Sequence, residues 1–245
     1  MSSAPRRAVV YFFWGPLHLS EALRSAATVR RCCDLPIVAI TDVSTSQIMP
    51  PWFDRVVVFQ EPAVSLLAKA RLIELLPDDY DSFLFLDTDT EVLEDVTYGF
   101  EKAERFGIAG VMAPHYSLDH FLGFGAVMSR ADVPHLSQLQ YNTGVLFFVR
   151  RPDVDAVFRK WCELASSLGP RCGYTNDQPF FTLALEMLHF NAFTLSPAYN
   201  YRALGELVSG IIRIWHSHMP APSGVNTFGS SWPPRRFQGA QLVEY

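Results

Sequence analysis

Apolar residues follow two alternating patterns along the chain. Short continuous runs occur at 7–13 (RAVVYFF), 35–42 (LPIVAITD), 55–59 (RVVVF), 108–114 (IAGVMAP), 144–149 (GVLFFV) and 211–215 (IIRIW), and within SFLFLD. Each is too short for a helix and predicts a strand. Between them, apolar positions recur every three or four residues. Leu19, Ala22, Leu23, Ala26 and Val29 predict a helix over 18–31. The run VSLLAKARLIELL predicts a second over 64–76, stopped by Pro77. Val154, Val157, Phe158, Trp161 and Leu164 predict a third over 153–168, and a fourth is expected to start near Asp177. The stretch HYSLDHFLGFGAVMSRADVPHLSQLQ fits neither pattern and reads as a binding loop, with His115, Asp119 and His120 as loop residues or acceptor contacts. The Pro-, Gly- and Ser-rich stretch from Pro220 reads as a loop or lid.

Strands alternating with helices predict an α/β chain with one mostly parallel central sheet flanked by helices. The runs VVV, FLFL and VLFF lack polar alternation, as expected of strands buried on both faces. Ligands of such sheets bind beyond the carboxyl ends of the strands. One such end is FLFLDTDTEV, where Asp87, Asp89 and Glu91 follow a buried strand. In an extended chain Asp87 and Asp89 share a face. Two carboxylates so placed disfavour each other's ionisation unless a cation joins them. The plain alternative is one capping aspartate and one solvated one.

Composition narrows the classes. The chain has 245 residues, 49% of them hydrophobic, which is enough for a sizeable core in a single domain. Its net charge of -5 gives no electrostatic footprint for nucleic acid or an anionic membrane. No stretch approaches the ~20 apolar residues of a membrane span. MSSAPRRAVVYFFWG reads as a first strand and not as a leader. Cys32, Cys33, Cys162 and Cys172 form no CxxC pair and are expected to be reduced. These features together predict a soluble cytoplasmic protein.

Further candidates lie downstream. In IWHSHM, His216 and His218 follow a strand. One imidazole with two carboxylates and ligand oxygens suits Mn²⁺ or Mg²⁺ better than zinc, the imidazole favouring Mn²⁺. Asn142 and Gly144 precede a strand and suit either sugar hydroxyls or an ordinary turn. In YTNDQPFF, Asn176 or Asp177 can cap a helix, or Asp177 and Gln178 can reach a ligand from its N-terminus. Lys69, ahead of the acidic strand, can serve a phosphate as a point charge, whereas Arg71 reads as solvated.

The order of these blocks resembles the GT-A glycosyltransferases, and among them glycosyltransferase family 8 and related nucleotide-diphospho-sugar transferases, over residues 8–218. The resemblance implies a GT-A (Rossmann-like) domain over 1–219 and a loop, lid or tail over 220–245. It implies that Asp87, Asp89 and His216 hold Mn²⁺ (or Mg²⁺), which binds the diphosphate of a nucleotide sugar. Lys69 and Thr88 then belong with the donor, Asn142 and Gly144 with sugar and acceptor, and Asp177 and Gln178 with the reacting sugar. Tyr11 and Trp14 fall where the nucleoside is held, with core packing an equal alternative for both. The implied activity is hexosyl transfer from a UDP-sugar to a glycan, lipid-linked or small-molecule acceptor, with retention. An inverting enzyme would instead need Asp177 or Asp119 as base.

Two features depart from the pattern. After the histidines, MPAPSGVNTF lacks the lysine expected to grip phosphate, leaving Arg213, Arg235 or Arg236 as substitutes. The first strand also lacks the acidic residue often used for uracil. Rival readings are a sugar nucleotidyltransferase, a metal-dependent phosphohydrolase, or a non-catalytic nucleotide-sugar or glycan-binding module. FFWGPLHLS, with one glycine and no Lys or Arg, speaks against the nucleotidyltransferase.

Overall fold

The first buried run becomes β1 (Arg7–Phe12), which leads into α1 (Gly15–Cys32), β2 (Ile37–Asp42), a short α2 (Val43–Ser46) and β3 (Arg55–Phe59). The structure is a computed structural model and describes residues 4–60, 65–130, 138–226 and 235–243. A 3-10 turn (Leu66–Arg71) and α3 (Leu72–Leu75) precede β4 (Ser82–Leu86), β5 (Thr90–Val92), α4 (Thr97–Phe106) and β6 (Ile108–Ser117). Then follow α5 (Phe124–Arg130), β7 (Leu139–Val149), α6 (Pro152–Cys172), α7 (Gln178–Met187), β8 (Phe193–Thr194), β9 (Tyr201–Arg202) and β10 (Leu204–Val208). The described chain closes with β11 (Ile214–His216), β12 (Arg235–Gln238) and β13 (Gln241–Leu242).

The central sheet has seven strands in the order β3-β2-β1-β4-β7-β6-β8. β1 to β4 are mutually parallel along this order, β7 runs antiparallel to β4 and β6, and β8 is parallel to β6. The sheet is therefore mostly parallel, with one reversed strand at its centre. All of β4 is buried, as the unbroken run SFLFL requires. α1 turns Leu19, Ala22, Ala26 and Val29 to the core, and α6 turns Val154, Val157, Phe158 and Trp161. Gly99 on α4 lets β7 approach: a Cβ there would lie 2.4 Å from the Phe147 ring. Gly99→Ala is expected to destabilise by roughly 1–3 kcal/mol through overpacking, seen as a lower Tm.

Three sequence expectations change. The helix expected over 64–76 is a 3-10 turn followed by a single α-turn. Three residues per turn put Lys69 and Leu72 on one face, and both are buried, so the turn carries Lys69 inward. The expected binding loop is largely regular: β6 extends to Ser117, a 3-10 segment spans Leu118–Gly123, and α5 follows. Leu118, Phe121, Phe124, Val127 and Met128 recur at helical spacing and are buried, which pays for this order. Residues 131–137 of that stretch lie outside the described residues. Beyond Pro220, β12 pairs with β10 and β13, and Phe237 joins Tyr201 and Trp215 in a second apolar cluster.

The four cysteines are free and half-buried. Burial raises the Cys33 thiol pKa to about 11. No helix among the described residues is long and apolar enough to cross a membrane.

Candidate active site

β4 ends at Leu86 and the chain turns. The Thr90 N–H and Oγ1 both donate to the Asp87 carbonyl, at 3.3 and 2.8 Å. Asp87-Thr88-Asp89 therefore lies in a turn and not in extended backbone, so the two carboxylates converge by turn geometry and not by strand alternation. The Asp87 N–H donates to the Gly144 carbonyl at 2.8 Å, which ties the turn to β7. β5 resumes at Thr90 and pairs antiparallel with β11, opposing His216 to Thr90. This register brings the imidazole to the turn. His216 Nε2 lies 3.4 Å from Asp89 Oδ1 and 4.0 Å from Asp87 Oδ2. The potential ligand atoms of Asp87, Asp89 and His216 all lie within 4.8 Å of one another.

Asn142 and Gly144 stand within β7, not ahead of it, because the strand begins at Leu139. Their position sets a chain of hydrogen bonds with a defined direction. The Gly144 N–H can only donate, and it donates to Asn142 Oδ1 at 3.0 Å. The same oxygen accepts from Asn200 Nδ2 at 2.8 Å. Asn200 Oδ1 is thereby left to accept from His216 Nδ1 at 2.7 Å. Nδ1 carries the proton, and Nε2 is the nitrogen facing the carboxylates. Only a proton on Nε2 or a cation between the three groups satisfies that arrangement. In the other direction, Asn142 Nδ2 donates to Gln178 Oε1 at 2.9 Å, and Gln178 Nε2 has no hydrogen-bond partner among the described residues.

Gly144 also leaves the space the cluster needs. A Cβ there would lie 2.3 Å from His216 Cε1 and 2.7 Å from Asp87 Oδ2. Two carboxylates, one oriented imidazole and a cradle kept open by glycine fit an octahedral, oxygen-preferring divalent cation.

Lys69 is buried, with Nζ 2.8 Å from Asp87 Oδ1 and 3.7 Å from Asp177 Oδ2. Burial opposes its charge, but Asp177 and Asp87 outweigh that and raise its pKa. Asp177 opens α7, and its Oδ2 accepts from Thr143 Oγ1 at 2.9 Å. Burial raises the Asp177 pKa, with Lys69 pulling the other way. Its side chain does not cap the helix; Asn176 Oδ1 takes the Gln178 N–H instead, at 3.0 Å. Asp89 shows the opposite balance to Asp177. Burial would raise its pKa, yet the His216 bond and the charges of His216 and His218 hold it well below the usual carboxylate range.

His218 stands outside the three-residue cluster. Its Nδ1 lies 2.9 Å from Glu21 Oε1 and 3.7 Å from Asp89 Oδ2, and its side chain is 76% exposed. The Glu21 bond raises the His218 pKa. Glu21 Oε2 also accepts from Thr88 Oγ1 at 3.0 Å and approaches His18 Nδ1 at 3.1 Å.

Two cavities meet at the cluster. One, of about 290 Å³, is walled by Phe12, Phe13, Trp14 and His18. The other, of about 520 Å³, is walled by Asn142, Asp177, Gln178 and Arg202 among others. Leu66, Lys69, Asp87, Asp89 and His218 line both. Thr88 and Trp14 line the aromatic cavity and Gly144 the polar one.

Tyr11 is not brought to the site. Its side chain is fully buried, its Oη lies 2.8 Å from Ser25 Oγ, and its ring packs on Phe53. It belongs to the core, because it points into the layer between β1 and α1. Tyr11→Phe is expected to cost about 0.5–1.5 kcal/mol of stability and to leave ligand affinity unchanged, as urea unfolding and titration would read.

The arginines considered as phosphate ligands also lie elsewhere. Arg213 donates to the Asp95 carbonyl, Arg235 donates to the Val225 and Gly210 carbonyls, and neither they nor Arg236 line either cavity. Arg71 pairs with Glu74 at the surface. Asp119 pairs with His120 away from both cavities, and the His115 side chain lies outside the described residues. Asn200, Glu21, Thr143 and His18 are site residues that sequence reading did not single out. Only Glu21 and His18 carry a local signal, their three-residue spacing.

No protein-family model and no curated protein sequence matches the chain. Solved structures do. Mouse xyloside xylosyltransferase 1 superposes with a TM-score of 0.59 at 13% identity, covering 88% of this chain and 99% of its own. The galactosyltransferase LgtC, solved with donor and acceptor sugar analogues, gives 0.58 at 14% identity, covering 87% of this chain and 88% of its own. The glycosyltransferase GlyE of Streptococcus pneumoniae gives 0.57 at 16% identity, covering 92% of this chain and 57% of its own. The chain has the GT-A fold of these glycosyltransferases.

Proposed function

We propose that the protein is a metal-dependent glycosyltransferase that moves a sugar from a nucleoside diphosphate sugar to an acceptor hydroxyl. One observation carries this reading: the Asp87–Asp89–His216 cluster stands where an aromatic cavity meets a polar one. A nucleotide sugar has the same order, a flat base, a diphosphate and a hydroxylated ring. Trp14 and its aromatic neighbours suit the base. His18 and His218 line the aromatic cavity beside the cluster, each with Nδ1 on Glu21, and no lysine follows His218 in the sequence. Asn142 and Gln178 line the polar cavity and suit the sugar, and the buried Gln178 Nε2 has no partner among the described residues. The reading places the donor site within residues 1–219, with UDP-sugars the first donors to test.

Asp87, Asp89 and His216 would hold Mn²⁺ or Mg²⁺, which when bound supplies a Lewis acid for the departing diphosphate. Lys69 holds Asp87 Oδ1 at 2.8 Å and orients it for that task. Asp177 is buried, and its Oδ2 is held by Lys69 and Thr143. Retention fits this better than inversion, with the proton leaving on the diphosphate.

The test is a thermal-shift screen of sugar nucleotides with and without Mn²⁺, followed by assay of nucleoside diphosphate release. A shift that needs Mn²⁺, together with release that EDTA stops, is the expected result. A shift without release would identify a binding module and refute transfer. His216→Ala is expected to weaken Mn²⁺ binding at least about tenfold more than His218→Ala, measured by the EPR signal of free Mn²⁺. The reverse ranking would make residue 218 the ligand.

A further inference from the structure

We propose that the acceptor presents its hydroxyl on a sugar that bears an apolar aglycone, as in an alkyl or aryl glycoside, and is not a free polar saccharide. This rests on the transferase reading and concerns the same polar cavity. Its floor is polar and buried: Asn142, Asp177 and Gln178 are 8%, 3% and 7% exposed. Its mouth has the opposite character. Leu66, Leu204 and Met219 also line it, and they are 51%, 55% and 52% exposed.

These three side chains come from separate segments: the 3-10 turn before β4, strand β10, and the chain after β11. Large apolar side chains gathered at the mouth of a ligand cavity mark a contact surface. The position of Leu204 is built into the backbone. Gly205 has a φ of 84°, and the β10–β12 ladder slips between Leu204 and Leu207. The irregularity turns Leu204 and Leu207 outward while Glu206 and Val208 stay buried. Arg202, on the same wall, is engaged with Glu206 at 2.6 Å. His218, 76% exposed at the same cavity, is likewise engaged with Glu21 at 2.9 Å, so the mouth offers an acceptor apolar contact in preference to a new ion pair.

In the reaction, the acceptor oxygen forms a bond to the anomeric carbon as the bond from that carbon to the diphosphate breaks. The hydroxyl proton leaves with the nucleoside diphosphate. Only the hydroxyl and its immediate surroundings need reach the polar floor, so the aglycone lies across Leu204 and Met219.

The experiment measures nucleoside diphosphate release with Mn²⁺ and sugar nucleotides. Methyl and octyl glycosides of the same sugar serve as paired acceptors over a panel of sugars, below micellar concentrations. The octyl member is expected to show a kcat/KM at least about tenfold higher, the effect of burying about two methylenes. In Leu204→Ser and in Met219→Ser the octyl-to-methyl ratio should fall towards one, since the methyl glycosides do not reach the mouth. Equal use of the two acceptors, stimulation by neither above the rate with water, or a ratio unmoved by both substitutions overturns the proposal and leaves the transferase reading standing. No release under any condition removes the transferase reading and the proposal with it. A dimer in sedimentation that Leu204→Ser dissolves would assign the mouth to a second copy of the chain, and would also overturn the proposal.

Discussion

Replacing Asp87 or Asp89 by asparagine is expected to abolish sugar transfer and leave the fold intact. The substitution keeps side-chain shape and removes one negative charge from a three-group cluster. For a divalent ion held by two carboxylates and one imidazole, that is half of the protein's anionic charge. The departing diphosphate then loses its electrostatic support, and losses of roughly 10²–10³-fold or more follow when such support is removed. Asp87→Asn also leaves Lys69 with Asp177 as its remaining partner. The fold should persist because β4 itself stays buried, although Asp87→Asn is expected to lower Tm by leaving the buried Lys69 with less compensation. The measurements are turnover at saturating Mn²⁺ alongside circular dichroism and Tm. Full turnover in either variant, or wild-type turnover in excess EDTA, would take the cation out of the reaction.

Gly144→Ala should damage the same centre by crowding instead of charge. Its new methyl would meet His216 Cε1 at 2.3 Å and Asp87 Oδ2 at 2.7 Å, so one or both must move. Neither is the loose end of a flexible chain. His216 is held by Asn200 and Asp87 by Lys69. A displacement of about 1 Å in a catalytic constellation costs on the order of 10²-fold in rate. Turnover and Mn²⁺ affinity should therefore fall together. An alanine variant with unchanged Mn²⁺ affinity and rate would show that the cradle has slack and that glycine serves another purpose there.

The strands were legible because β1, β2, β4 and the second half of β7 are short, nearly continuous apolar runs, as strands covered on both faces require. Leu66–Arg71 was misread because a 3-10 turn and an α-helix bury similar side chains, and only the spacing of Lys69 from its neighbours distinguishes them. The start of β7 was missed because Gln140, Asn142 and Thr143 are polar, although all three are buried. Asp87, Asp89, His216, Asn142 and Gln178 stood out because each lies in a compact block beside an apolar run. Asp87 and Asp89 converge because a turn, and not an extended strand, joins them. Asn200 was invisible for a different reason. Its partner Asn142 is 58 residues away, and no local pattern encodes a bond closed only by the folded sheet. Tyr11 and Trp14 looked equivalent in sequence; the strand ends between them, and only Trp14 passes beyond the core.

The chain of bonds through Asn142 begins at a peptide hydrogen, the one group in it whose role cannot be reversed by a ring flip or an amide rotation. Every later choice of donor and acceptor is inherited from it. One main-chain hydrogen on β7 dictates which imidazole nitrogen is left bare and, two bonds the other way, which end of the Gln178 amide stays uncommitted.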